Sequence, residues 1–334
     1  MSISMSRRKA LQLGAGAAAG MLAMPYVARA ADAVVINFGD HNAVDSVLSN
    51  TVLQFKSAVE AASNGAITVR HYPAAQLGSQ RELLEQVKLG TLQMCFGDPP
   101  YLSNLVPQFA VMDLPFVFRD WAHVETVIDG PVTKTLSEAL IASQGLRPLS
   151  WLHIGFRNMM TIDKPVASIA DFAGLKFRSP ETASFVEMFK ALGATPVPVP
   201  WGEVYPAMKT GLVDGIETTP EGMLNSKLYE VGRYVTETQH INTVGAPIVS
   251  ESFWTSLAPE QQAMIAEAIA SATAWEREEM KSANAAATTS LTENGIELIA
   301  IDQAALRKAV EPVWGRLTEK ADGASDLVTQ IQAA

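Results

Sequence analysis

Val34-Val35-Ile36-Asn37-Phe38 is a short unbroken apolar run closed by the turn residues Gly39-Asp40, the pattern of a buried strand. Leu48, Val52, Phe55 and Val59 then recur at helical spacing until Asn64-Gly65 stops them. Ile67-Thr68-Val69-Arg70-His71-Tyr72 alternates as a half-buried strand does and ends at Pro73. Residues 81–89 read as a second short helix with Gly90 as its stop, and 92–96 as a third strand. Strand, helix, strand, helix, strand predicts an α/β fold with a largely parallel sheet.

Upstream of this unit, Arg7, Arg8 and Lys9 precede an Ala/Gly-rich apolar stretch over 11–27, and Ala28-Arg29-Ala30 offers small residues at a cleavage point. That is the layout of a secretory signal peptide over residues 1–30, with cleavage expected after Ala30. Ser6-Arg7-Arg8 resembles a twin-arginine export signal, although Ala10 and Leu11 follow Lys9 where that pattern carries Phe. The alternative is an uncleaved N-terminal anchor. Against it, the stretch is interrupted by Gly14, Gly16 and Gly20 and is short for a span of ~20 strongly apolar residues. Removing Arg7, Arg8, Lys9 and Arg29 takes the basic residues from 25 to 21 against 35 acidic ones, and the net charge from −10 to −14. No later run reaches ~18 unbroken apolar residues, so a soluble mature protein is expected.

Single cores stop growing near roughly 250–300 residues, so 334 residues favour two domains. Hydrophobic residues at 48% and charged residues at 18% exclude global disorder. The acidic balance argues against a nucleic-acid partner, which needs a basic face. One cysteine, Cys95, excludes an internal disulfide and a multi-cysteine metal site; its apolar setting reads as a buried core thiol. His41, His71, His123, His153 and His240 show no ligand spacing, and His71 and His123 read as surface residues. Nucleophile elbow, Walker loop and dinucleotide fingerprint are all missing. No catalytic residue, metal ligand or cofactor is therefore assigned.

Downstream, a second α/β unit is expected to begin after Leu149. Residues 153–160 read as a strand, 175–178 as another, and 181–192 as a helix closed by Gly193. Pro196, Pro198 and Pro200 alternate, which forces an extended segment poor in backbone donors, suited to a sheet edge or an interdomain crossing. A short helix follows, ending at Lys209-Thr210-Gly211. From 260 to 294 there is neither Pro nor Gly, with Pro259 at a permitted helix start and Gly295 at a stop. A continuous helix there spans about 50 Å at 1.5 Å per residue, long enough to touch both domains. Two helices broken near 282–284 are the alternative.

One ordered set of short motifs is specific in combination: Gly174-Leu175-Lys176-Phe177-Arg178, Leu192-Gly193-Ala194-Thr195-Pro196, Glu203-Val204-Tyr205 and Gly211-Leu212-Val213-Asp214-Gly215-Ile216-Glu217. Gln76-Leu77-Gly78, Leu114-Pro115-Phe116-Val117-Phe118, Gly155-Phe156-Arg157 and Trp254 with Leu257 accompany it. The set resembles the solute-binding proteins of tripartite ATP-independent periplasmic (TRAP) transporters, the DctP-type family, over nearly the whole mature chain. The resemblance implies a two-domain periplasmic binding protein, type II-like, with a ligand cleft between the domains and a long helix spanning both. It implies capture of a small organic acid in the periplasm and delivery to an ion-gradient-driven permease of one small and one large membrane subunit. The expected division is 31–154 with 244–283 and 155–243 with 284–334, in a monomer. A secreted lyase or isomerase acting on an organic acid, or a binding protein serving a sensor or an ATP-driven importer, are the alternatives.

The same resemblance places Arg178 at the position of the family's principal carboxylate-binding arginine. A guanidinium's planar fork matches two carboxylate oxygens as a lysine cannot. A structural salt bridge of Arg178 to Asp171 or Glu181 is the competing role. Arg157 matches a second arginine that supports the carboxylate in some members. Glu217 is positioned to orient an arginine, or to be a buried partner without ligand contact. By comparison with sialic-acid-binding members, Trp201 is expected to cover the ligand's carbon skeleton. Thr218 stands where many members carry Asn, so the substrate is not to be copied from them. His41, Gln80, Asp98 and Glu181 align with other polar contacts, and Tyr101 is a nearby aromatic. Candidate ligands are C4-dicarboxylates, sugar acids, 2-oxo or hydroxy acids and aromatic acids.

Overall fold

The computed structural model describes residues 33–319 and 321–334; the signal-peptide and cleavage readings lie outside the described residues. The opening stretch folds as its pattern demands. β1 (Val34–Gly39) is followed by α1 (Val47–Ala62), which starts where the Ser46 hydroxyl accepts the Ser49 N–H and buries Val52, Phe55 and Val59. Asn64 and Gly65 take positive φ values of 50° and 80° and turn the chain into β2 (Ile67–Tyr72), parallel to β1. α2 (Gln80–Lys88) carries a reciprocal Ser79–Glu82 capping box and leads to β3 (Met94–Gly97). The chain then runs through α3 (Pro99–Leu102), α4 (Trp121–Ile128), α5 (Pro131–Gln144), β4 (Leu146–Pro148) and β5 (Leu152–Phe156).

The second sheet begins at β6 (Asn158–Thr161) and takes in β7 (Lys176–Ser179), α6 (Ala183–Ala191), β8 (Thr195–Pro198), α7 (Val204–Lys209), β9 (Gly215–Thr218), α8 (Pro220–Asn225) and β10 (Tyr234–Thr236). β11 (Asn242–Ser250) returns to the first sheet. α9 (Glu251–Ser256), α10 (Pro259–Glu293), β12 (Glu297–Ile299), α11 (Gln303–Thr318) and α12 (Ala324–Ala333) complete the chain. Strand order is β2-β1-β3-β11-β4 in the first sheet, with β5 paired to β11, and β12-β10-β6-β9-β7-β8 in the second.

Two expectations need correction. The sheets are mixed rather than largely parallel. β11 runs antiparallel to β3, β4 and β5, and β6 antiparallel to β9 and β10. Parallel neighbours come from helical crossovers within one layer, whereas β6 and β11 enter their sheets directly from the other one. The run over 153–160 is two strands, not one: it breaks at Arg157, so β5 belongs to the first sheet and β6 to the second. The alternating prolines do form an edge, since β8 pairs only with β7, where missing N–H groups are harmless.

α10 is one continuous helix of 35 residues with Pro259 in its first turn, about 50 Å long. Its N-terminal half packs Ile265, Ala268, Ile269 and Ala272 with β1 and α1, while Leu291 joins the core of the second sheet with Met160, Val213 and Ile216. The expected alternative break at 282–284 does not occur. Asn284 instead serves as a bracket from mid-helix: its Nδ2 donates to Ile154 O (3.0 Å) and its Oδ1 accepts the Glu221 N–H (3.2 Å). Cys95 is buried in β3, and burial, with Asp98 and Asp40 nearby, pushes its thiol pKa up. His123 is buried rather than on the surface. Its Nδ1 accepts the Arg119 N–H and its Nε2 lies 2.7 Å from Ile331 O, an environment built by residues distant in sequence. His71 is half-buried beside Asp40 (3.1 Å).

Glu276 on α10 is fully buried, accepting only the His153 N–H (3.3 Å) through Oε2. Burial lifts its pKa to about 8 and drops that of His153 to about 3. Between the ordinary carboxyl value of 4.5 and about 8 the folded chain holds a proton on Glu276 that the unfolded chain has lost, so stability falls as pH rises through that window. For His153 the sign reverses: between about 3 and 6.5 the unfolded chain gains the proton, and stability falls with acidification. Glu276→Gln, which mimics the protonated form, is expected to flatten the fall in Tm that Glu276 contributes between pH 5 and pH 8 and to be the more stable protein at pH 8. Parallel Tm–pH curves for the two proteins, measured by scanning calorimetry, are the contrary result.

Candidate functional site

The two sheets face each other across a cleft whose empty space, open solvent at its mouth included, is about 630 Å³. From the first sheet, the loop after β1 supplies His41 and Asn42. Buried Asp40 shapes that loop by accepting the Asn42 N–H (2.9 Å), the Ser49 hydroxyl and His71 Nε2 (3.1 Å). Burial opposes the charge on Asp40, but His71, His41 and Ser49 outweigh it and hold the pKa below its ordinary value. Gln80 opens α2. Asp98 ends β3, and Tyr101 lies on α3. Gly245 on β11 must be glycine for close approach, since a Cβ there would sit 2.9 Å from Asp98 Oδ1.

Arg157 occupies the junction between β5 and β6. Its N–H donates to Ile241 O (2.8 Å), which ties the two crossing segments together. Its guanidinium forks onto Glu217, with Nε on one oxygen and Nη2 on the other (2.7 Å), and Nη1 donates to the Thr243 hydroxyl (3.1 Å). Glu217 on β9 is fully buried behind Arg157, 3.5 Å from His240 Nε2. Burial favours the neutral acid there, yet Arg157 and His240 overcome it and keep the carboxyl pKa below its ordinary value.

Arg178 on β7 is held differently. It is 2% exposed, its Nε donates to Val199 O (2.9 Å), and its guanidinium carbon lies 5.5 Å from the Trp201 ring centroid. Among the described residues no carboxylate lies within ion-pair distance of it. Asp171 is committed to the Ser168 turn (2.9 Å and 2.8 Å to its N–H and hydroxyl), so the competing salt-bridge role for Asp171 is not realised. An unpaired buried guanidinium is unfavourable until an anion meets it.

Of the residues expected at the site, Arg178, Arg157, Trp201, Thr218, Asp98, Gln80, His41 and Tyr101 line this one cleft. Glu217 stands behind Arg157 and off the wall. Glu181 falls outside the lining, its carbonyl accepting from Asn104 Nδ2 (3.4 Å). Sequence reasoning missed Asn42, Thr219, Glu221 and Thr243, which also line it. Thr219-Pro220-Glu221 was readable as a helix start, with Thr219 capping and Pro220 in the first turn. Thr243 carried no local signal, because the crossing strand alone brings it there.

The family model described as bacterial extracellular solute-binding protein, family 7 (DctP) matches residues 38–321. The C4-dicarboxylate-binding periplasmic protein DctP of Rhodobacter capsulatus is 31% identical over 338 aligned positions, covering 99% of both chains. A TRAP periplasmic solute-binding protein from Xanthobacter autotrophicus Py2, solved with bound β-D-galacturonate, superposes with a TM-score of 0.86 at 29% identity, covering 90% of this chain and 99% of its own. One from Polaromonas sp. JS666, bound to D-erythronate, has the same TM-score, identity and coverage.

Glu217→Ala leaves the Arg157 guanidinium buried without its anion, and about 3–5 kcal/mol of stability is expected to be lost in urea denaturation. Glu187→Ala, which removes a half-buried partner of the more exposed Lys190 and Arg316 (both 3.1 Å), is the control, expected within about 1 kcal/mol of wild type. Equal losses for the two would refute the assigned role of the buried pair.

Proposed function

The chain belongs to bacterial extracellular solute-binding protein family 7, and we propose that it captures its small organic acid with Arg178 as the carboxylate anchor. Members of the family act with membrane permease subunits of TRAP transporters and bind acids in the periplasm. The observation that carries the assignment is the Arg178 guanidinium without a carboxylate partner among the described residues: buried on the cleft wall, fixed by Val199 O through Nε, with Tyr101 beside it. Arg157, held flat by Glu217, offers a second donor edge, and Trp201 a ring to cover the carbon skeleton. His41, Gln80, Asp98, Thr218 and Tyr101 complete the polar wall, with Glu217 acting through Arg157. Because lining residues come from both sheets, ligand favours the closed arrangement by touching both.

Export through a twin-arginine signal with cleavage after Ala30, a monomeric mature protein, no enzymatic turnover and no nucleic-acid partner belong to the same reading. None of the described helices is long and apolar enough to cross a membrane. The proposed domains are 31–154 with 244–283 and 155–243 with 284–334. Packing of α12 on α5 and on the turn at 107–113 argues for moving residues 324–333 to the first of them.

Arg178→Lys keeps the charge and loses the fork. It is expected to weaken binding of the cognate acid by about 2–5 kcal/mol, the range for disrupting a buried charge pair, measured by calorimetry on an acid first found by thermal-shift screening of carboxylates. Affinity equal to wild type would remove Arg178 from the assignment.

A further inference from the structure

Two carboxyl groups share the cleft wall with the two arginines, and they bear on how many charges the ligand carries. Asp98 enters from the end of β3 and Glu221 from the first turn of α8. Both keep acceptor capacity beyond their protein contacts, which for Asp98 include Gln80. Asp98 stands at the N-cap of α3 yet makes no capping bond. Glu221 takes both of its hydrogen bonds on Oε1, from the Val47 N–H (3.0 Å) and Asn225 Nδ2 (2.6 Å). Its Oε2 has no partner among the described residues.

The positive side of the inventory is short. Arg157 is already neutralised by Glu217, and Arg178 alone is unpaired. No lysine and no third arginine lines the cleft among the described residues. The remaining titratable cation, His41, lies within the fields of Asp40 and Asp98. One ligand carboxylate therefore finds a complete site. A second carboxylate on the same ligand has to be buried against Asp98 or Glu221. Charged, those groups repel it; protonated, each gives it one O–H hydrogen bond but no positive charge to replace its lost hydration. A hydroxyl behaves oppositely, donating into a carboxylate oxygen in a charge-assisted bond.

We propose that Asp98 and Glu221 are specificity-determining residues that admit acids with a single carboxylate and several hydroxyls and reject acids with a second carboxylate. Each accepts a hydrogen bond from a ligand hydroxyl. The inference rests on Arg178 holding the one carboxylate, and it names the substrate class of that same site.

The test is calorimetry with pairs that share a carbon chain and differ in the second carboxylate: D-galactonate against galactarate, and D-erythronate against tartrate. In at least one pair the monoacid is expected to bind about 100-fold tighter or more than its diacid, the scale of like-charge juxtaposition in a buried site. Asp98→Asn and Glu221→Gln, each confirmed folded by thermal unfolding, are expected to narrow that ratio about tenfold. Diacids binding as tightly as monoacids, or ratios unmoved by both substitutions, overturn the proposal. Arg178→Lys separates the two levels of the argument, since it weakens both members of a pair alike and leaves their ratio unchanged. Binding of every acid untouched by Arg178→Lys, or no acid bound at all, brings down the underlying assignment and the selectivity with it.

Discussion

Arg157 is the single residue between β5 and β6, and the cleft is built around the way it is held. A guanidinium buried at a chain crossing has to find an anion in the protein, because water is excluded and an unpaired buried charge is strongly unfavourable. Glu217 supplies it from β9, and the pair is self-consistent: each group's charge holds the other's pKa in the ionised direction. The backbone of Arg157 binds Ile241 and its side chain reaches Thr243, so the outgoing and returning crossings are fastened at one point. The second arginine, Arg178, is left without a carboxylate partner among the described residues, as the proposed anchoring role requires.

That division of labour reconciles the overall charge with an anionic ligand. A chain with a net charge of −10 repels organic anions at long range, but salt screens that repulsion within ~8–10 Å. On the proposed assignment, what a ligand meets inside the cleft is Arg178, buried and without a carboxylate partner among the described residues. The energetic burden that makes such a group unfavourable in the empty protein is what gives an incoming carboxylate its advantage.

Periodic local signals were legible in the sequence. The β1–α1–β2 unit, the proline-spaced edge strand and the 35-residue helix follow from apolar spacing, caps and the absence of Pro and Gly. The strand direction of β11 was not legible, because it depends on where the chain returns from and not on its composition. Arg157, following Ile154-Gly155-Phe156, reads as a strand end and does follow β5, but nothing local shows that the next strand belongs to the other sheet. Arg178 was legible through resemblance and through guanidinium chemistry together. Glu221 escaped because its place on the wall depends on α8 packing against α10, which no local spacing encodes.

Glu221 also joins the wall to the rest of the molecule. Its carboxyl accepts the N–H at the start of α1 in the first lobe, its own N–H donates to Asn284 on α10, and Asn284 donates back to Ile154 in β5. Gly155 permits this bracket: at its φ of 123° a Cβ would lie 2.8 Å from Asn284 Nδ2. Separation of the lobes at the cleft has to break the Val47–Glu221 bond, while the Asn284 bracket sits on the long helix that both lobes share. In the proposed selectivity, a ligand hydroxyl held by the free oxygen of Glu221 engages the same carboxyl that bridges the cleft. That proposal couples recognition to closure through one side chain, since a ligand favours the state in which its contacts are complete.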